Sequence, residues 1–233
     1  MADVQFINNQ ELLNIVSTAG LNSVLNGGRS MRDWTTYHYK TFFGSCNADG
    51  SVRGAKLPPT IEYFVNPKGN KKSVMANNFV DGEEVHNVVT SGKADEPLLI
   101  TGLALRLDIG SYSWQEEEDD GNSGTVTVDK VSSDEEKLAD YNAILKSGRF
   151  TFTVNNQIVS EYQPLGTLGT KVETDATKIA NFGSKIQPIT IAPYIYVEEG
   201  ITISAQILFE EEFATKCPVR IGVDLIGFKF FKR

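Results

Sequence analysis

Histidine and cysteine are scarce in this chain of 233 residues, which holds two of each. His38 and His86 stand far apart, and the sequence has neither a CxxC nor an HxxxH pair. Zinc needs three or four thiolate or imidazole ligands, so no zinc site is expected. A Ser-His-Asp or Cys-His site needs a histidine beside its nucleophile, and no G-x-S-x-G elbow is present. Phosphate-binding and dinucleotide fingerprints are missing too, because Asn26-Gly27-Gly28-Arg29 closes a helical pattern instead of opening one. Carboxylate pairs of the glycosidase kind arise by chance in any acidic β-protein, and nothing singles one out here. The expectation is therefore a protein that is not an enzyme, with no catalytic residue, no cofactor and no metal ligand. Cys46 and Cys217 are too few for a disulfide scaffold and read as reduced, partly buried thiols.

No stretch approaches the roughly 18 apolar residues that signal a membrane-spanning helix. The opening MADVQFINNQELL lacks the basic and apolar regions of a secretory signal, and no N-x-S/T sequon occurs. Synthesis in a cytoplasm is expected on these grounds. Positive charge is in deficit, with 22 Lys and Arg against 30 Asp and Glu and a net charge of −8. That balance argues against a protein whose whole surface grips nucleic acid. Two local exceptions, Lys68, Lys71 and Lys72 in one turn and Lys229, Lys232 and Arg233 at the end, read as a solvated turn and as charges guarding an apolar strand. Nucleic-acid contact has no further support.

What the sequence does contain is alternation. Ile189, Ile191, Ile195 and Val197 share one parity before Glu198-Glu199-Gly200. Ile201, Ile203, Ala205, Ile207 and Phe209 resume it afterwards, and Val219, Ile221, Val223 and Leu225 repeat it. A period of two places alternate side chains on opposite faces of a sheet, so each run offers one face to a core. The longest single strand is read over 98–109, with Leu99, Leu103, Leu105, Leu107 and Ile109 on one parity and Arg106 and Asp108 on the other. Further strands are expected at 60–65, at 149–154 with Phe150, Phe152 and Val154 inward, and after a tight Asn155-Asn156 turn.

Two helices are expected. Over 8–26, Asn8 and Glu11 have capping spacing, and Leu12, Ile15, Val16 and Ala19 make an apolar stripe. Over 133–147, Ser133 and Glu136 form a second capping box ahead of Leu138, Tyr141 and Leu145, and Gly148 ends the helix. Residues 29–59 are rich in aromatics without a sustained period, and read either as an irregular arm lying on a partner or as a first strand pair with its loop. The acidic run 116–120 reads as a solvated loop. Consecutive carboxylates cannot all converge on one ion, and no glutamate follows Gly121 at the calcium-loop spacing.

About nine or ten strands without βαβ alternation point to an all-β, antiparallel sandwich. Residues 1–45 are assigned to the N-terminal helix and arm, residues 46–233 to the β-sandwich, with one further helix in a connection.

The segments 148–165, 188–209 and 219–230, together with the N-terminal arm and long loops, resemble the jelly-roll virion proteins of icosahedral bacteriophages. That resemblance implies a sandwich of jelly-roll type. It also implies a structural capsid or capsid-associated subunit in the virion, whose partners are copies of itself and other virion proteins. Leu12, Ile15, Val16, Trp34, Tyr37, Tyr39 and Phe42 are then the candidates for a subunit interface. The competing expectation is a carbohydrate- or receptor-binding module, for which Trp34, Tyr37, Tyr39, Trp114, Tyr194 and Tyr196 are the aromatic candidates.

Overall fold

The computed structural model describes residues 5–7, 30–42, 56–65, 84–86, 92–119, 121, 124–168 and 189–231. The expected helix over 8–26, with Leu12, Ile15 and Val16, lies outside these residues, as do Cys46, Lys68, Lys71, Lys72, Lys232 and Arg233.

Every strand pairing among the described residues is antiparallel. The larger sheet has six strands in the order β1 (Gln5–Ile7), β11 (Ile189–Val197), β6 (Leu98–Ile109), β14 (Val219–Phe231), β2 (Ser30–Phe42) and β5 (Glu84–His86). The smaller has four, in the order β10 (Gln157–Pro164), β9 (Arg149–Val154), β12 (Ile203–Leu208) and β4 (Thr60–Tyr63). Two short strands, β3 (Lys56–Leu57) and β13 (Phe213–Ala214), pair with each other, and β7 (Ser113–Asp119) with β8 (Thr125–Val131) makes a separate hairpin.

One core fills the space between the two sheets. The smaller sheet contributes Ile61, Tyr63, Phe150, Phe152, Val154, Ile203, Ala205 and Ile207. The larger contributes Leu103, Leu105, Leu107, Ile195, Val197, Val219, Ile221, Val223 and Leu225. The alternating runs after Gly200 and after Cys217 thus face one another as opposite walls, with β12 in one sheet and β14 in the other. Both contain alternate isoleucine, valine or leucine because each has one face in the core.

The parity expected for β6 breaks once. Register along β14 steps from Ile226 opposite Gly102 to Gly227 opposite Ile100, which leaves Thr101 as the extra residue of a β-bulge. Leu98 and Ile100 enter the core before the bulge, and Leu103, Leu105 and Leu107 after it. Leu99 falls on the opposite face, where it is also buried.

Residues 30–42 are a strand and not an irregular arm. β2 pairs continuously with β14, from Phe42 opposite Val219 to Ser30 opposite Phe231, so this part of the segment belongs to the larger sheet.

The helix expected over 133–147 is present as α1 (Asp134–Ser147). Its capping box is closed both ways: Glu136 N–H donates to the Ser133 hydroxyl and Ser133 N–H to the Glu136 carboxylate, each at 3.2 Å. Tyr141, Ile144 and Leu145 are buried against the core, with Leu138 at its margin. Asp140, also buried, accepts from the backbone N–H groups of Lys216 (2.9 Å) and Cys217 (2.8 Å), which ties the helix to the entrance of β14. The β9–β10 turn carries Asn155 and Asn156 at φ 50° and 62°, the left-handed geometry that asparagine tolerates.

Candidate functional site

The outer face of the larger sheet, away from the core, brings together residues from three strands. Arg220, Gly222 and Asp224 of β14 lie between Tyr37, Tyr39 and Thr41 of β2 and Ala104, Arg106 and Asp108 of β6, all fixed by antiparallel register. Tyr37 and Tyr39 stack, with ring centroids 5.4 Å apart and planes 15° from parallel. The guanidinium carbons of Arg106 and Arg220 lie 5.4 and 5.8 Å from the Tyr39 ring centre, within cation–π range. Arg106 also donates to the Asp224 carboxylate at 2.7 Å. Gly222 makes the close packing possible, since a Cβ there would stand 2.6 Å from the Tyr39 Cβ.

Within this cluster two arginines stand against two aspartates, which does not suit a polyanion. Burial pushes the Asp108 carboxyl up from its ordinary range, although Arg220 and Arg106 pull the other way and Asp224 adds to the rise. Burial likewise raises Asp224 against the pull of Arg106, and raises the Tyr39 phenol. One carboxylate oxygen of Asp108 and one of Asp224 is buried without a hydrogen-bond partner. The face is therefore a packed, half-buried surface of rings and fixed charges.

The candidates named from sequence separate here. Tyr37 and Tyr39 come together on the outer face. Phe42 packs against the core, so its burial is accounted for within the chain. Trp34 is placed on β2 opposite Gly227. Among the glycan-binding candidates, Tyr196 is buried edge-on to Phe230, and Tyr194 and Trp114 are half-buried. Arg106, Asp108, Arg220 and Asp224 were not candidates from sequence. The signal that could have found the first two was their parity, opposite to the leucines of β6.

The acidic run is a correction. Glu116, Glu117, Glu118 and Asp119 do not lie in a loop but form most of β7, paired residue by residue with β8 from Ser113–Val131 to Asp119–Thr125. Glu118 pairs with Lys130, and Asp129 of β8 accepts from Gln115 of β7, so polar contacts cross the hairpin in both directions. Among the described residues no group of three or more ligand-type side chains is placed to hold a metal. Lys229, grouped in sequence with the terminal basic residues, is only 4% exposed and ion-paired to Asp95 (2.7 Å) and Glu96 (3.5 Å), which withdraws it from any nucleic-acid surface. No helix among the described residues is long and apolar enough to cross a membrane.

Comparison with family models, with curated proteins and with solved structures gives no match to this chain.

Proposed function

We propose that the chain is a jelly-roll subunit that builds a virion shell by assembling with copies of itself and with other virion proteins. The strand order carries this reading. Eight of the strands divide into two sets of four, β2-β14-β6-β11 and β4-β12-β9-β10, and in sequence they alternate between sheets apart from the β9–β10 hairpin. Two Greek keys wrapped over one another generate that order, and double-sheet jelly rolls of this kind serve in viral capsid and lectin domains. The larger sheet extends beyond its four by an edge strand on each side, β1 and β5. Such a protein acts through surfaces, and the chemistry of its side chains fits that role better than catalysis.

Light scattering after size exclusion, followed by electron microscopy, tests the proposal on the full chain at rising concentration. Closed rings or shells support it. A monomer at every concentration sinks it.

The lectin-like alternative has one observation in its favour, the stacked Tyr37–Tyr39 pair flanked by arginine and aspartate on an outer sheet face. Glycan binding that is abolished by Tyr39→Ala in a monomeric protein would select it.

A further inference from the structure

We infer that His38 is an acid-sensitive latch joining the two sheets, a device independent of whether the chain assembles. His38 lies on β2 in the larger sheet and is fully buried. Its Nδ1 accepts a hydrogen bond from the backbone N–H of Phe64, which immediately follows β4 of the smaller sheet. A backbone N–H can only donate, so Nδ1 carries no proton in this arrangement. The rings of Tyr63 and Phe64 meet the imidazole edge-on, with centroids 5.2 and 5.5 Å away.

Phe64 is held in a conformation its side chain does not favour. Its φ is 63°, in the left-handed region that is uncommon for a bulky residue. Two contacts fix it there. One is the bond to His38. The other is Gly92, itself at φ 74°, against which the Phe64 carbonyl packs so closely that a Cβ would lie 2.1 Å from the oxygen. Gly92 in turn accepts from Ile203 N–H of β12 at 2.7 Å. One imidazole nitrogen thus helps to hold the end of β4, the segment at Gly92 and the edge of the larger sheet together.

Adding a proton to Nδ1 turns the acceptor into a donor facing another donor, and places a charge in a core. The described side chains around it are largely apolar. From β14 the register partner is Val223, flanked on the same face by Ile221 and Leu225, while Arg220 and Asp224 lie on the opposite face. From β4 comes Tyr63, whose hydroxyl donates to the Ile221 carbonyl, with Glu62 exposed. β12 presents Ile203, Ala205 and Ile207, and Lys93 beside Gly92 is exposed. From β5, His86 is the register partner of His38, and Glu84 stands opposite Lys40 two residues along. The chain's two histidines therefore occupy one cross-strand position at the sheet edge. Protonation there releases Phe64 and loosens β4 from β2.

The test follows the intact protein from pH 8 to pH 4 by nitrogen–proton NMR, with Phe64 amide exchange measured alongside. The expected result is a single acid step in which Nδ1 gains its proton and Phe64 loses amide protection together. His38→Asn keeps an acceptor near the Nδ1 position without the titration, and should abolish the step. His86→Gln should leave it in place. The inference is overturned if His38→Asn shows the same step, which would assign it to the raised carboxyls of Asp108, Asp140 and Asp224. It is equally overturned if Phe64 stays protected while Nδ1 is protonated, or if His38 remains unprotonated throughout that range. Should His38→Asn fail to fold, the wild-type titration decides alone.

Discussion

Tyr63 and Ile221 stand 158 residues apart in sequence, and the Tyr63 hydroxyl crosses the core to donate to the Ile221 carbonyl at 3.2 Å. One residue lies in the smaller sheet and the other in the middle strand pair of the larger, so this bond joins the two walls from inside. Tyr63→Phe keeps the ring and removes the donor. It is expected to lower stability by about 0.5–1.5 kcal/mol in urea unfolding, the usual net worth of one internal hydrogen bond. An unchanged midpoint would mean that the bond contributes nothing beyond the packing of the ring.

At Gly222, β14 packs tightly against β2. A Cβ there would meet the Tyr39 Cβ at 2.6 Å and the His38 carbonyl oxygen at 2.9 Å. Backbone cannot swing away as a long side chain can, so Gly222→Ala should force the strands apart and cost several kcal/mol, about 3 or more. Gly166→Ala, where the added carbon meets nothing within 4 Å, is the control. Thermal melting of the two variants side by side would show whether this approach matters.

Asp108 gives a pH dependence whose sign is unusual for a carboxylate. Burial raises its folded pKa, so the fold prefers the protonated form. The associated stability is fully present below the unfolded value, near 3.9, and is lost as pH rises through the raised folded value. At pH 7 the buried charge is thus a liability, and Asp108→Asn should raise the urea midpoint. The gap between variant and wild type should close as pH falls towards 4. A lower midpoint for the variant at pH 7 would show that Arg220 and Arg106 compensate the charge after all.

Cys217 is buried, and burial pushes its thiol up from 9.0 to about 12, helped by the neighbouring Asp140 and opposed by a hydrogen bond with Ser132. The thiolate is the reactive form, so alkylation at pH 8.5 should leave the Cys217 peptide unmodified in the native protein and label it in urea. Because the folded value is the raised one, this group's contribution holds below about pH 9 and fades as pH climbs towards 12. Peptide-level mass spectrometry checks the first outcome. Rapid native labelling would place Cys217 in a segment that opens locally.

The elements legible in the sequence are those with local signals. The capping box at Ser133 and Glu136 fixed α1 to within a residue, and Asn155-Asn156 marked the β9–β10 turn because positive φ selects asparagine. β6 was found at its full length, but the bulge at Thr101 could not be read, since it depends on register with β14 more than 100 residues away. β2 stayed ambiguous for a related reason. His38 and Lys40 share the core-side parity with Phe42, and a histidine and a lysine do not look like core positions. His38 is buried there because Phe64 supplies its hydrogen bond, a contact no local pattern announces. The acidic strand β7 was hidden by its charges, which its largely exposed position and the Glu118–Lys130 pair make tolerable. For the candidate surface, Tyr37 and Tyr39 were visible as aromatics. Arg220 and Asp224 became neighbours of Arg106 only when β14 was placed between β6 and β2.

That placement has a consequence for how the protein must be made. β14 is the strand that both β6 and β2 need as a partner, and it spans residues 219–231. A ribosome delivering the chain from its N-terminus exposes β2 and β6 long before β14 emerges. At about 5–20 residues per second, the interval between Phe42 and Val219 lasts on the order of ten seconds or more. From the completion of β6 at Ile109 onward, two long strands, each of which will be hydrogen-bonded to β14, present open edges to every other nascent chain nearby. Nascent chains stalled before residue 219 should therefore bind holdase chaperones strongly, and release them once β14 has cleared the exit tunnel.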